Sequence, residues 1–378
     1  MIRIIILVIL LLLSSLTIFK APTYHLWLIA ITVTEFSALF CLLTLALIVS
    51  GFWIDDYRIA GTITGFIALL LYMSPIFRAS LISKDLENGL SAEFGSSASP
   101  GESPFCFADF FFGFNKQVVA SSTVTYTAYV DTELKMDFYS AKAKEKRPCV
   151  LVIHGGSWKS GDNKQLPELN SFLANSGYHV AAINYRLAPD HHNPLPVKDV
   201  DAAIKYLKAH SNELGVDTRN FFLLGRSAGA QIALLAAYTL KEHRIKGVID
   251  FYGPADMVWG YSAPASPLVM DSRRVMEDYL GGTFQDAPAN YSASSPIRFV
   301  SSTSQPTLII HGENDVLVAY EHSIRLQKKL NDYGVKNYFL SLPWATHGFD
   351  YTLNGPGGQL STYAVLKFLN CLTTNTYK

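Results

Sequence analysis

Gly225-Arg226-Ser227-Ala228-Gly229 lies between an apolar run at residues 221–224 and a stretch of helical spacing at residues 230–240. A serine pinched by two glycines between a short strand and a helix reads as a nucleophile elbow. A turn that sharp strains the serine backbone, and only small flanking residues let the helix pass so close to the strand. The turn lifts the hydroxyl off the sheet and aims the free N–H groups of the helix N-terminus at the reacting centre. Small-residue turns are common, so the motif gains its meaning from what surrounds it.

The surroundings alternate strand and helix. Residues 124–130 and 134–139 show the period-two pattern of an antiparallel hairpin, and residues 150–153 and 179–183 are continuous apolar runs. Such runs suit strands buried on both faces of a parallel sheet. Further strands are predicted at 247–251, 307–310 and 338–342. Helices are predicted at 197–210, 228–240, 320–333 and 359–369, with Asp199 and Asp201 suited to the first turn at 197 through the helix dipole. This order predicts one large α/β domain over residues 119–378, a mostly parallel twisted sheet with helices on both faces. Residues 254–304 read as a small cap inserted between two strands.

Catalytic groups cluster at the ends of such strands. His154-Gly155-Gly156-Ser157-Trp158 follows the strand at 150–153. Its two glycines leave the N–H groups of Gly155 and Gly156 open to an oxyanion, with the N–H of Ala228 as partner donor; one such donor is worth about 10²–10³ in rate. Asp315 follows the strand at 307–310 and is the candidate acid. Glu313, earlier in that turn, and Asp350, close in sequence to the candidate base, are the competitors. The candidate base is His347, past the final strand and beside Gly348. His154 and His311 sit where they would brace the oxyanion and acid loops, and His191 and His192 fall in a polar loop. Ser227, Asp315 and His347 thus occur in the chain order Ser, acid, His. Trp158, Trp259 and Tyr261 are candidates for the substrate wall. Tyr185 and Arg186 read as structural, and Asp271, Arg273 and Arg274 as surface salt-bridge formers.

The N-terminal part is different. The chain is 49% hydrophobic and only 16% charged, against about a quarter charged in a typical soluble protein, and the shortfall lies in the first eighty residues. A bilayer crossing needs about 20 apolar residues. Residues 1–79 therefore read as a membrane anchor with spans near 4–19, 30–54 and 59–77. The first reads as a signal anchor, since Lys20-Ala21-Pro22-Thr23 makes a poor cleavage site. Glu35 is placed at the membrane interface, which avoids a cost of about 3 kcal/mol for a carboxylate at the bilayer centre. Three spans put Arg3 and Arg58 on one side and Lys20, Arg78 and Lys84 on the other, a weak lean toward a cytoplasmic catalytic domain.

Residues 80–118 read as a linker or lid segment, flexible over 91–103. The segment 105–114 carries six phenylalanines, which either pack on the catalytic domain or lie among lipid headgroups. The net charge of +0 gives no reason to expect nucleic acid. Cys41, Cys106, Cys149 and Cys371 form no metal or disulfide spacing, so no metal is expected.

These motifs resemble the esterase/lipase branch of the α/β-hydrolases, the hormone-sensitive-lipase-like group and its feruloyl-esterase-like relatives. The resemblance runs over residues 134–369 and includes His154–Trp158, the run from Asn184 to Pro189, the elbow, Ser295-Pro296 and the two loops bearing Asp315 and His347. It implies hydrolysis of a small-molecule or lipid carboxylic ester without a cofactor. Ser157 departs from the third glycine of the usual His-Gly-Gly-Gly, and Ala230 stands where relatives often have glycine. A subset of bacterial members is similar in also joining membrane segments to this domain, with a lipid bilayer as partner. The same triad serves amide hydrolysis and acyl transfer, and a silent hydrolase fold used as a binding module is the alternative of another class.

Overall fold

The computed structural model describes residues 1–54, 56–96, 103–113, 117–130, 132–143, 145–243 and 245–374. The strands are β1 (Ser121–Ala128), β2 (Glu133–Tyr139), β3 (Arg147–Ile153), β4 (His179–Ile183), β5 (Val216–Arg226), β6 (Gly247–Phe251), β7 (Thr307–Gly312) and β8 (Asn337–Leu342). They form one sheet in the order β1-β2-β4-β3-β5-β6-β7-β8. β1 pairs antiparallel with β2, as does β2 with β4, and every pairing from β4 to β8 is parallel. The expected hairpin and buried strands are therefore present. Side-chain alternation sends Phe221 and Leu223 of β5 to one face and Phe222 and Leu224 to the other, all fully buried.

The helices run in chain order from α1 (Ile2–Ser14), α2 (Tyr24–Glu35), α3 (Ser37–Ser50) and α4 (Arg58–Phe94) through the short α5 (Asp109–Phe112). In the sheet domain they are α6 (Pro167–Asn175), α7 (Leu195–Ala209), α8 (Ala228–Thr239), α9 (Met257–Ser262), α10 (Ser272–Leu280), α11 (Pro288–Ala293), α12 (Glu321–Asp332) and α13 (Pro356–Thr374). One face of the sheet packs against α7, α8 and α12, the other against α6 and α13. The cap between β6 and β7 is built from α9, α10 and α11. With this sheet, the fold is that of an α/β-hydrolase.

Three expectations for the N-terminal part are corrected. The apolar stretch at 30–54 is not one straight span: α2 and α3 meet at Phe36 with a bend of 82°. Among the described residues α4 alone is long and apolar enough to cross a membrane unaided, so a three-span topology is not supported. Glu35 is buried within the protein, 1% exposed. Its Oε2 accepts from the N–H groups of Gly357 at 2.9 Å and Gly358 at 3.3 Å, in the first turn of α13. A carboxyl oxygen there accepts from helix N–H groups that have no partner within the helix, while burial pushes the Glu35 pKa up to about 8. Residues 80–94 are not linker either. They continue α4, whose second half buries Ala79, Leu86, Leu90 and Phe94 beside α13 on the sheet.

The rest of the expected linker divides. Residues 97–102, inside the stretch read as flexible, lie outside the described residues, as does Phe114 of the phenylalanine-rich segment. Within that segment Phe105 packs on the hydrolase core and Cys106 N–H donates to Gln359 Oε1 at 2.8 Å, while Phe107 and Phe112 are exposed. Asp199 does not serve as a first-turn dipole partner; it takes a bidentate ion pair from Arg186, 2.7 Å at the closest. If α4 is part of the hydrolase core, Phe94→Ala removes a ring packed edge-on against Phe368 at 4.8 Å. It is then expected to cost about 3–5 kcal/mol, read as a lowered denaturation midpoint of the catalytic domain.

Candidate active site

β5 delivers Ser227 into the turn before α8 with φ 54° and ψ −121°, a conformation that L side chains rarely adopt. The flanking glycines make it attainable. A β-carbon on Gly225 would overlap the backbone of Gly229 and Ala230, and one on Gly229 would overlap the carbonyl oxygens of Ile153 and His154. Ser227 N–H donates to Phe251 O at 2.9 Å, tying the turn to the end of β6.

Two strands along, Asp315 is fully buried in the loop after β7. Its Oδ1 accepts from the N–H groups of Leu317 and Val318 at 2.8 and 2.9 Å. Its Oδ2 lies 2.7 Å from His347 Nδ1 and 3.1 Å from His311 Nε2. Burial pushes the Asp315 pKa up. The charge of His347 and the hydrogen bonds from His311 and His347 outweigh it and hold the carboxyl well below the usual range. Asp315 is thus a carboxylate at neutral pH, and the imidazole Nδ1 facing it must donate. The competitors are engaged elsewhere. Glu313 is exposed and accepts from Ser341 Oγ at 2.8 Å. Asp350 accepts from Arg226 Nε at 2.5 Å and from the Tyr252 hydroxyl.

The loop after β3 requires a correction. Gly155 N–H is not open: it donates to Gln165 Oε1 at 2.8 Å. The next donors differ, since neither Gly156 N–H nor Ser157 N–H has a hydrogen-bond partner among the described residues. Gly156 stands at φ 120°, where a β-carbon would overlap Ser160 O, and Ser157 follows at φ 54°. The Ser157 hydroxyl points toward Met270 Sδ at 3.8 Å. His154 braces the loop, stacking on Tyr185 with ring centroids 4.3 Å apart and bonding Gly155 O through Nδ1 at 2.7 Å.

Ser227, Ala228, Ser157 and Asp315 line one cavity of about 360 Å³ between the sheet edge and the cap. Trp158 is in its wall, held by Gln231 at 2.9 Å and stacked on Tyr279 at 4.5 Å. Trp259 and Tyr261 are not. Gly260 between them lines the cavity, while Trp259 packs on His322 and Arg325, and Tyr261 on Tyr291. Asp271 caps α10 by accepting from Arg274 N–H, and Arg274 pairs with Asp278 at 3.0 Å. Among the described residues no group of three or more His, Cys, Asp or Glu side chains could hold a metal ion.

The comparisons with known proteins follow this geometry. Residues 136–330, just over half of the chain, match the profile of the BD-FAE family. The chain belongs to that family. Proteins similar to it include the probable carboxylic ester hydrolase LipM of Mycobacterium tuberculosis, 29% identical over 59% of this chain and 54% of that protein. Esterase LipC of the same organism is 28% identical over 59% of this chain and 58% of its own length. The chain thus spans about half the length of the curated relatives it matches. Among solved structures, a hyperthermophilic esterase from the archaeon Pyrobaculum calidifontis superimposes with a TM-score of 0.59 at 20% identity, over 78% of this chain and 94% of that one. A truncated carbohydrate esterase from gut microbiota gives 0.55 at 20% identity, over 66% and 98%.

Two groups around the site carried no sequence signal that the motifs could supply. One is the buried pair Arg226–Asp350, each 2% exposed, which ties the elbow to the segment after His347, with Tyr252 bridging from Asp350 to the His347 ring at 4.3 Å. The other is the N-terminal layer. Trp27 Nε1 donates to His347 O at 2.9 Å, and Asn314 Nδ2 to Ile18 O at 3.3 Å. Asp350→Ala leaves the Arg226 guanidinium buried without a counter-charge. It is expected to cost about 3–5 kcal/mol, while the double variant with Arg226→Met recovers most of the loss; equilibrium unfolding of both checks this.

Proposed function

We propose that this protein is a serine hydrolase that cleaves carboxylic esters through an acyl-enzyme. The observation that carries the reading is the convergence of a positive-φ serine at a strand-to-helix turn with a buried carboxylate, itself hydrogen-bonded to a histidine, at one cavity. In this reading Ser227 Oγ attacks the ester carbonyl carbon as its proton passes to His347. Asp315 holds the imidazole tautomer and stabilises the imidazolium. The oxyanion receives hydrogen bonds from Gly156, Ser157 and Ala228 N–H groups, with Gly155 left to shape the loop. The tetrahedral species collapses, His347 returns the proton to the departing alkoxide, and water activated by His347 then releases the acid. The names of LipM and LipC support ester over amide cleavage.

The reading includes attachment to a bilayer. Large apolar side chains stand exposed along α1, α3 and the first half of α4, among them Ile5, Leu42, Ile59, Phe66 and Leu70. In water such a surface is a liability; in lipid it is solvated. The first half of α4 is the segment proposed to cross, and its second half then fixes the catalytic domain at the membrane surface. On this reading the protein stays with membranes under alkaline carbonate washing and leaves only with detergent. Recovery in the soluble fraction overturns the attachment.

Purified in detergent, the protein is expected to label with a fluorophosphonate probe and to prefer nitrophenyl esters over matched anilides. Ser227→Ala is expected to abolish labelling and lower kcat by about 10⁶-fold. Folded wild-type protein that does not label overturns the serine-hydrolase reading, and a preference for anilides overturns the ester assignment.

A further inference from the structure

Part of the cavity wall comes from outside the hydrolase domain. Lys20, Ala21 and Pro22, in the turn between α1 and α2, line the same cavity as Ser227 and Asp315. The turn is held at both ends: Ile18 O accepts from Asn314, in the loop bearing Asp315, and Tyr24 N–H donates to Leu268 O of the cap at 3.0 Å. Thr23 caps α2 by accepting from Leu26 N–H at 3.4 Å, and Ala21 is buried. A wall fixed in this way adds selectivity with little ordering cost on binding.

Charge at the cavity is lopsided. The lining is mostly apolar, with Val269, Met270, Met276 and Leu317 among the residues that surround the elbow. The Asp315 carboxylate is already satisfied by two histidines and two N–H groups. His322, the other basic residue of the lining, is fully buried, and burial lowers its pKa to about 3, so it is neutral. Lys20 remains as the cation of the lining, exposed at the mouth, with no hydrogen bond or ion pair among the described residues. A volume near 360 Å³ sits at the small end of ligand pockets, about 300–1,000 Å³. It suits a short acyl or alcohol group rather than a whole two-chain lipid.

We propose that the Lys20–Pro22 turn is the specificity wall of the site and that Lys20 selects short esters bearing an anionic group, carboxylate or phosphate, beside the scissile bond. The inference rests on the ester-hydrolase reading and adds a substrate class to it. The anion is supplied either by a free ester or by one borne on a lipid surface. In both, Lys20 contributes a screened attraction at the mouth while the apolar walls hold the reacting part.

The test uses the full chain in neutral detergent and three chromogenic esters. These are 4-nitrophenyl butyrate, 4-nitrophenyl hydrogen succinate with a carboxylate on the acyl side, and 3-carboxy-4-nitrophenyl butyrate with one on the leaving group. The ratio of kcat/KM for an anionic ester to that for the neutral one is expected to fall about fivefold in Lys20→Met, which keeps the aliphatic stem. It is expected to fall further in Lys20→Glu, to be retained in Lys20→Arg, and to fade in wild type as salt rises from 10 mM to 1 M. The ester that responds tells which side of the bond faces Lys20. Competition by phosphatidylglycerol nanodiscs, absent with phosphatidylcholine and lost in Lys20→Met, assigns the anion to the lipid surface; discrimination among the soluble esters without such competition assigns it to a free ester. A wild-type ratio in both Lys20→Met and Lys20→Glu overturns the proposal while leaving the ester reading intact. Absence of Ser227-dependent hydrolysis of all three esters overturns the ester reading and this proposal with it.

Discussion

Space for a β-carbon is missing on both sides of Ser227, and the candidate site follows from that constraint. Gly225 and Gly229 let α8 start directly against the ends of β3 and β5, with Ile153 O and His154 O in contact distance of the helix. The serine is thereby forced to φ 54°, and its hydroxyl is carried to the edge of the sheet where the Asp315 and cap residues line the cavity. A strain of order 1–3 kcal/mol is sustained only where the surroundings over-determine it. Here the Ser227 N–H bond to β6 and the buried Arg226–Asp350 pair do so.

The second organising feature is the way the N-terminal helices join the hydrolase domain. α4 is one element of 37 residues with two environments. Its first half shows an apolar surface outward, and its second half is a core helix of the α/β domain. The α2 helix lies against the loop that carries His347 through Trp27 and against the first turn of α13 through Glu35, so the site is not an appendage tethered by a linker. Burying Glu35 against the first turn of α13 costs desolvation, which pushes its carboxyl up to about 8, and the Gly357 and Gly358 N–H groups offset only part of that cost. The α1–α2 turn thereby becomes a wall of the cavity lined by Ser227.

What was legible in the chain follows the physics of each signal. Continuous apolar runs at 150–153 and 179–183 mark strands buried on two faces, and both are found where expected. Asp315 differs from Glu313 and Asp350 by its place in the loop, and in the structure it lies 2.7 Å from His347. That Gln165, ten residues on, takes the Gly155 N–H is not visible in the chain, because no local pattern encodes that hydrogen bond. Trp259 and Tyr261 were misassigned because residue type says nothing of which way a cap helix faces. The linker reading of 80–94 missed a signal that was present: Ala79, Leu86, Leu90 and Phe94 share one face at helical spacing.

The sequence by itself determined the α/β alternation, the strand-to-helix turn at Ser227, and the chain order of Ser227, Asp315 and His347, because these rest on local sterics and on periodicity along the chain. The tertiary structure alone decided that α2 breaks from α3 at Phe36, that Glu35 caps α13, that Arg226 pairs with Asp350, and that Lys20 to Pro22 line the same cavity as Ser227. The last three join residues more than a hundred positions apart. Their partners are chosen by desolvation and packing in three dimensions, and no local pattern in the chain encodes that choice.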